Sequence, residues 1–390
     1  MRNLAFLLLL GLCACGDRQV AAPAKEPRAV QAASTVLDSE KGRYTVTEQI
    51  AGLEHPWGLA FLPGGDMLVT ERPGRLRRIS SAGQVSAPIT GLPDIFVDGQ
   101  AGLLDVAVSP TFASDNLVYL SFAEPTLRGN KAGTAVVRGR LQDGALQDTK
   151  VVYRQEPKLS HGTHVGSRLV FDDAGHLFVT QGDNRLGAAA AQELDKLPGK
   201  LVRIWPDGRI PDDNPFAKRE GARGEIWSYG HRNMQGAALH PVTRQLWTSE
   251  HGPMGGDELN IPQAGRNYGW PVITHGKDYS GTAVPGSVGN SAPGMEQPHH
   301  FWPVSPGLSG MAFYTGELLP QWRGNLFLGA LASSELIRLE LDGDKVVHEE
   351  RLLGALQQRI RDVRQGPDGA LYVLTDAVDG KLLKITPAPQ

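Results

Sequence analysis

One short module recurs six times along the chain: an apolar strand, a turn rich in Gly and Asp, and a second strand of alternating apolar residues. The first copy reads Gly58-Leu59-Ala60-Phe61-Leu62, then Pro63-Gly64-Gly65-Asp66, then Met67-Leu68-Val69-Thr70, and the last runs from Asp362 to Thr375 through Gly366-Pro367-Asp368-Gly369. The first strands begin near 58, 104, 168, 237, 310 and 362. An isolated hairpin of this kind is marginal because it cannot bury both faces. Stacking copies around an axis buries the faces and protects the strand edges. Unequal spacing fits blades with insertions, so the fold expected is all-β, a six-bladed β-propeller with long loop insertions on one face. A third strand follows in places, as in Gly74–Ile79 and Gly380–Ile385. The longest insertions, over 181–235, 250–309 and 315–324, are where function is expected, because loops on a rigid scaffold carry it.

The propeller is expected over 43–390. Before it, Arg2 and the apolar run Leu4–Leu12 form an export leader too short to span a bilayer, ending in Leu12-Cys13-Ala14-Cys15-Gly16. This pattern is that of a lipoprotein signal cut before Cys15, or of an ordinary secretory signal cut near Ala14. Residues 1–15 are thus a leader, and 16–42, rich in Ala, Pro, Gln and charge, a flexible tether. The protein is expected outside the cytoplasm, in the periplasm or cell envelope, with lipid on Cys15 as its link to the membrane. The chain's 2 cysteines both fall in the leader, which excludes disulfides, zinc-thiolate sites and cysteine nucleophiles from the folded part. A net charge of −3 gives no basic excess for nucleic acid.

Four constellations carry candidate chemistry. In Ser160–Arg168, His161 and His164 stand among small residues; a loop histidine there serves as a general base or caps a turn. Arg232-Asn233 suits a flat, oxygen-rich anion through a guanidinium fork and an amide, or braces neighbouring blades. The glycine-rich loop Glu250–Asn260 offers acids and carbonyls to a hard cation such as calcium. Arg359 and Arg361 lie two apart and face one side of a strand, where they require anions: a bound polycarboxylate or partner aspartates. Gln100 opens the second module. No serine-hydrolase elbow, P-loop or dinucleotide fingerprint occurs in usable context.

Taken in order, these segments resemble the soluble aldose sugar dehydrogenases of the glucose/sorbosone dehydrogenase family, which use pyrroloquinoline quinone (PQQ). The resemblance runs from about Thr45 to Ile385, most specifically in Gly199–Arg203 with Ile210–Phe216, Glu225–Gly236, Glu250–Trp270 and Gln358–Thr375. It implies a PQQ site over the axis, with His164 as the catalytic base, Asp183 close behind it and Arg232 beside the quinone. It also implies PQQ contacts from Gln100, His164, Arg232, Asn233, Arg359 and Arg361. Two calcium ions are implied, one at the PQQ on the carbonyls of Gly252 and Pro253, the other structural, at Glu258 and the Tyr268 carbonyl. The implied reaction is oxidation of an aldose sugar at C1 to a lactone, with electrons passing to an external acceptor, a quinone or a cytochrome. Either a monomer or a homodimer is compatible with it.

Two positions depart from the family pattern. Ala332-Ser333-Ser334 stands where a PQQ-contacting lysine is usual, and Gly166-Ser167 replaces a glycine pair after the histidine. The 271–309 insertion, with Tyr279, His299, His300 and Trp302, is expected to shape the sugar pocket, its aromatics either stacking on sugar faces or packing. The same scaffold would also serve a calcium-dependent lactonase-type hydrolase or a non-catalytic surface binding propeller.

Overall fold

The computed structural model describes residues 26–30, 33–160 and 162–389. The leader with Cys15, and His161, lie outside the described residues. The six modules are six antiparallel sheets. Their first strands are Pro56–Phe61, Leu103–Val108, Leu169–Phe171, Met234–Leu239, Leu308–Phe313 and Ile360–Gln365, each at one end of its sheet. Each packs on the first strand of the next sheet, and the sixth packs on the first, which closes a ring. This is the expected six-bladed propeller.

The blades adhere through apolar faces supplied by the alternating pattern. Leu68, Leu103, Leu120 and Phe122 join the first two blades, and Tyr119, Leu169, Val179 and Val202 the next pair. Trp247, Leu308, Met311 and Leu328 join the fourth and fifth blades. The ring is sealed by the N-terminal strand Gly42–Leu53, which pairs antiparallel with the C-terminal strand Gly380–Pro387 as the fourth strand of the sixth blade.

Within the expected 16–42 tether, the structure has strands at Arg28–Ala29 and Ser34–Ser39. Ser34–Ser39 forms a hairpin with Gly42–Leu53, and Arg28–Ala29 pairs further along the same strand. The sequence Ser34-Thr35-Val36-Leu37 is β-prone, and Leu37 packs against the sixth-blade core.

At the axis the first strands meet on polar groups. Arg168 is buried, its guanidinium donating to Asp105 at 3.0 Å and to the Gln235 carbonyl at 2.7 Å, and pairing with Asp362 at 3.2 Å. It lies over the Trp57 ring at 4.2 Å. A Cβ on Gly310 would come within 2.0 Å of Asp362 Oδ1. All six blades thus contribute to one ion-paired axle. Sequence reasoning assigned Arg168 only as a landmark. The signal available was an acid or base beside the start of a core strand.

Candidate active site

The loops at one end of the axle enclose a cavity of about 1050 Å³. Gln100, Gly252, Pro253, Arg359 and Arg361 line it. His164, Asp183, Arg232 and Asn233 stand immediately behind this wall.

His164 sits at φ 49°, a left-handed conformation that costs a side-chain-bearing residue about 1–3 kcal/mol unless its surroundings fix it. The surroundings do fix it. Its backbone N–H donates to Gln100 Oε1 at 2.8 Å, and its ring Nδ1 meets Asp183 Oδ1 at 2.7 Å. A carboxylate accepts, so Nδ1 carries the proton and Nε2 is left as the basic nitrogen, with no hydrogen-bond partner among the described residues. Burial pushes the His164 pKa down, Asp183 pulls against it, and Arg232 and Arg185 add to the downward push; the net shift is downward. The approach of the two segments depends on Gly182, where a Cβ would lie 1.7 Å from the His164 carbonyl oxygen. Ser167, at φ 98°, occupies a backbone conformation suited to glycine, which accounts for the usual glycine pair here. Its hydroxyl compensates by donating to the Val165 carbonyl at 2.7 Å.

Asp183 is held on its other side by the Trp270 indole N–H, which donates to Oδ2 at 2.8 Å. The Arg232 guanidinium lies over the same indole at 5.2 Å and donates to the carbonyls of His251 and Gly252 at 3.0 and 2.6 Å. Asn233 Oδ1 accepts from the Gly166 N–H at 3.1 Å.

Arg361 donates to Gln235 Oε1 at 2.7 Å and to Asp376 Oδ2 at 2.8 Å, while Arg359 reaches the same oxygen at 3.4 Å. Of the two anions foreseen for this pair, the structure therefore shows the aspartate. Burial disfavours the Asp376 charge, but Arg361, His55 and Arg359 outweigh it and hold the carboxyl well below the usual carboxylate range. Asp376, His55 and Gln235 were not singled out from the sequence. Nor were Arg72 and Lys277, two cations on the cavity wall whose charged ends have no ion-pair partner among the described residues.

Among the described residues, three buried side-chain nitrogens at the site lack a partner, Arg232 Nε, Asn233 Nδ2 and Arg361 Nε, as do His275 Nε2 and Ser305 Oγ on the cavity wall. Unpartnered buried donors are costly, and all three demand acceptors. An oxygen-rich polyanion such as PQQ fits that need. For calcium, no three or more His, Cys, Asp or Glu converge among the described residues. The expected ligands are mostly carbonyls, and Gly252 and Pro253 do border the cavity. Glu258 and Tyr268 lie apart from it, in a narrow pocket with Glu250. There Asn260 Nδ2 bridges Glu250 and Glu258 at 3.1 Å each, and burial with the Glu250 charge pushes the Glu258 carboxyl up to about 8. Two buried carboxylates in contact with one amide suit a cation.

From the 271–309 insertion, Tyr279 lines the cavity together with His275 and Lys277. His299, His300 and Trp302 do not. Trp302 is buried in the outer strand of the fourth blade and donates to Glu349 at 2.7 Å. The 315–324 insertion contributes nothing to the cavity wall.

The glucose/sorbosone dehydrogenase family profile matches residues 53–384. Aldose sugar dehydrogenase YliI of Escherichia coli (strain K12) is 53% identical over 338 residues, 86% of this chain and 91% of that protein. A solved glucose dehydrogenase structure superposes with a TM-score of 0.86 at 56% identity, covering 88% of this chain and 99% of the other. The PQQ-bound form of an aldose sugar dehydrogenase from Streptomyces coelicolor superposes with a TM-score of 0.72 at 27% identity, covering 92% and 99%. The match takes in every blade and the segments that bear His164, Arg232 and Arg361, so the chain belongs to the glucose/sorbosone dehydrogenase family.

Proposed function

We propose that the protein oxidises aldose sugars at C1 to lactones, using PQQ and calcium, with His164 as the general base. The observation that carries this reading is a histidine kept basic at Nε2 by its bond to Asp183, behind a cavity with unpartnered buried donors on and beside its wall. When bound, PQQ, with calcium at the Gly252 and Pro253 carbonyls, supplies the hydride acceptor and its Lewis acid. His164 Nε2 takes the proton from the C1 hydroxyl, and Asp183 holds the ring in the tautomer that can do so. The resulting imidazolium is stabilised by the same carboxylate. Arg232 and Asn233 present donors where negative charge gathers, and their burial strengthens that effect. Arg359 and Arg361 anchor carboxylates, aligned by Asp376 and Gln235. Tyr279 offers an aromatic face to the sugar.

The dehydrogenases among its relatives support this reading over a lactonase or a binding module. The test is to add PQQ and calcium to the purified apo-protein and follow the quinone absorbance as aldoses are supplied. Aldose-dependent bleaching with lactone formation is expected; lactone hydrolysis without PQQ, or no response, would overturn the reading. His164→Ala should retain PQQ and lose about 10²- to 10⁴-fold in turnover, the usual worth of a general base.

Export to the periplasm or cell envelope, and lipid on Cys15, belong to the same proposal and rest on the leader pattern. Labelling with a fatty-acid analogue should mark the protein and should fail in Cys15→Ala.

A further inference from the structure

We propose that Trp270 is the positioning residue that sets the His164–Asp183 pair, acting through Asp183 and tying it to Arg232. The inference rests on the dehydrogenase reading above for its kinetic consequence, but not for its geometry.

Asp183 uses its two oxygens in opposite directions. Oδ1 receives the His164 ring at 2.7 Å and the Arg185 backbone N–H at 2.7 Å; Oδ2 receives the Trp270 indole at 2.8 Å. Without the indole, the described contacts fix only one edge of the carboxylate, and it is free to turn about the bond that aims the imidazole. The indole is itself held. Its backbone N–H donates to the Gly230 carbonyl at 2.9 Å, and its carbonyl accepts from Gln192 Nε2 at 2.7 Å. Gly230 lies two residues before Arg232, and the Arg232 guanidinium rests over the indole ring. One side chain therefore holds the acid behind the base with its edge and supports the cation with its face. A base and a cation that must meet one substrate gain rate from such a shared frame, because small misplacements are costly. The charged groups that face His164 are Asp183, Arg232 and Arg185, and Trp270 touches the first two.

Trp270→Phe keeps an aromatic face and removes only the donor. A double-mutant cycle with Asp183→Ala, which removes the acceptor, separates positioning from general packing. In the PQQ- and calcium-loaded protein, Trp270→Phe is expected to lower kcat about tenfold, as loss of one hydrogen bond to a charged group can, with little change in KM. In the Asp183→Ala background the same change is expected to cost less than about twofold, because the acceptor is already gone. An equal loss in both backgrounds overturns the proposal. A second measurement uses the apo-protein and needs neither turnover nor the Trp270 variant. The Trp270 indole N–H proton and the His164 Nδ1 proton are observed by NMR in the native protein and in Asp183→Ala, which leaves neither donor its acceptor. Both resonances are expected to move upfield when the carboxylate is replaced; an indole signal that stays in place overturns the link. If the native protein fails to oxidise aldoses, the dehydrogenase reading falls while the NMR result still decides the role of Trp270.

Discussion

His164 shows how a single side chain is tuned by what surrounds it. Burial lowers its pKa from the ordinary 6.5 despite Asp183, so the neutral, proton-accepting form persists to lower pH. The acidic limb of kcat/KM should accordingly lie below pH 6.5, with activity rising as pH rises through the lowered pKa. Asp183 is the group that pulls this value up, so Asp183→Asn should move the limb further down while reducing the rate through loss of the tautomer. A pH–rate profile of both proteins checks the sign. The histidine was visible in the sequence as one of two loop candidates, and the ordered resemblance chose between them. Its αL backbone, its bond to Gln100 and the indole behind Asp183 were not visible, because each joins segments distant in sequence. Trp270 lay within a stretch already marked as family-specific, yet nothing in residue type alone separates a core tryptophan from one that donates to a carboxylate.

Strands were more legible than loops. The alternating apolar pattern placed all six first strands to within a few residues, since a period of two has only one comfortable reading on a half-buried sheet. The insertions have no such period. Tyr279 reached the cavity as expected, but Trp302 went into a blade edge, where its indole could bond Glu349 and its ring could be buried. Within the expected tether, polar residues in Ser34–Ser39 likewise masked a strand stabilised by its pairing with Gly42–Leu53. The backbone at Gly182 lies close against distant segments of the chain. Gly182→Ala would drive a methyl into the His164 carbonyl and should cost about 1–3 kcal/mol in stability, with activity lost disproportionately as the histidine moves. Urea unfolding alongside turnover measures the two effects separately.

Across the whole molecule, the axle at Arg168 ties the blades together at their centre. It satisfies Asp105 and Asp362 from different blades, and Arg364 adds bonds to both at 3.3 and 3.1 Å. Removing one member of a buried ion pair leaves uncompensated charge, so Arg168→Leu should destabilise the fold by about 3–5 kcal/mol, read from the denaturant midpoint. Because Arg168 also bonds the Arg361 carbonyl, that variant should loosen the floor of the cavity as well.

The seal made by Gly42–Leu53 against Gly380–Pro387 has a consequence in time. Synthesis runs from the amino end, so the strand that completes the sixth blade emerges first and its partner last. Until then, five blades assemble beside a hairpin whose inner edge is unpaired, with exposed N–H and C=O groups of the kind that recruit other chains. Pairing ends so far apart in sequence is slow, because loop closure must precede any gain. The strand that locks the finished ring is thus the longest-lived weak point of the growing one.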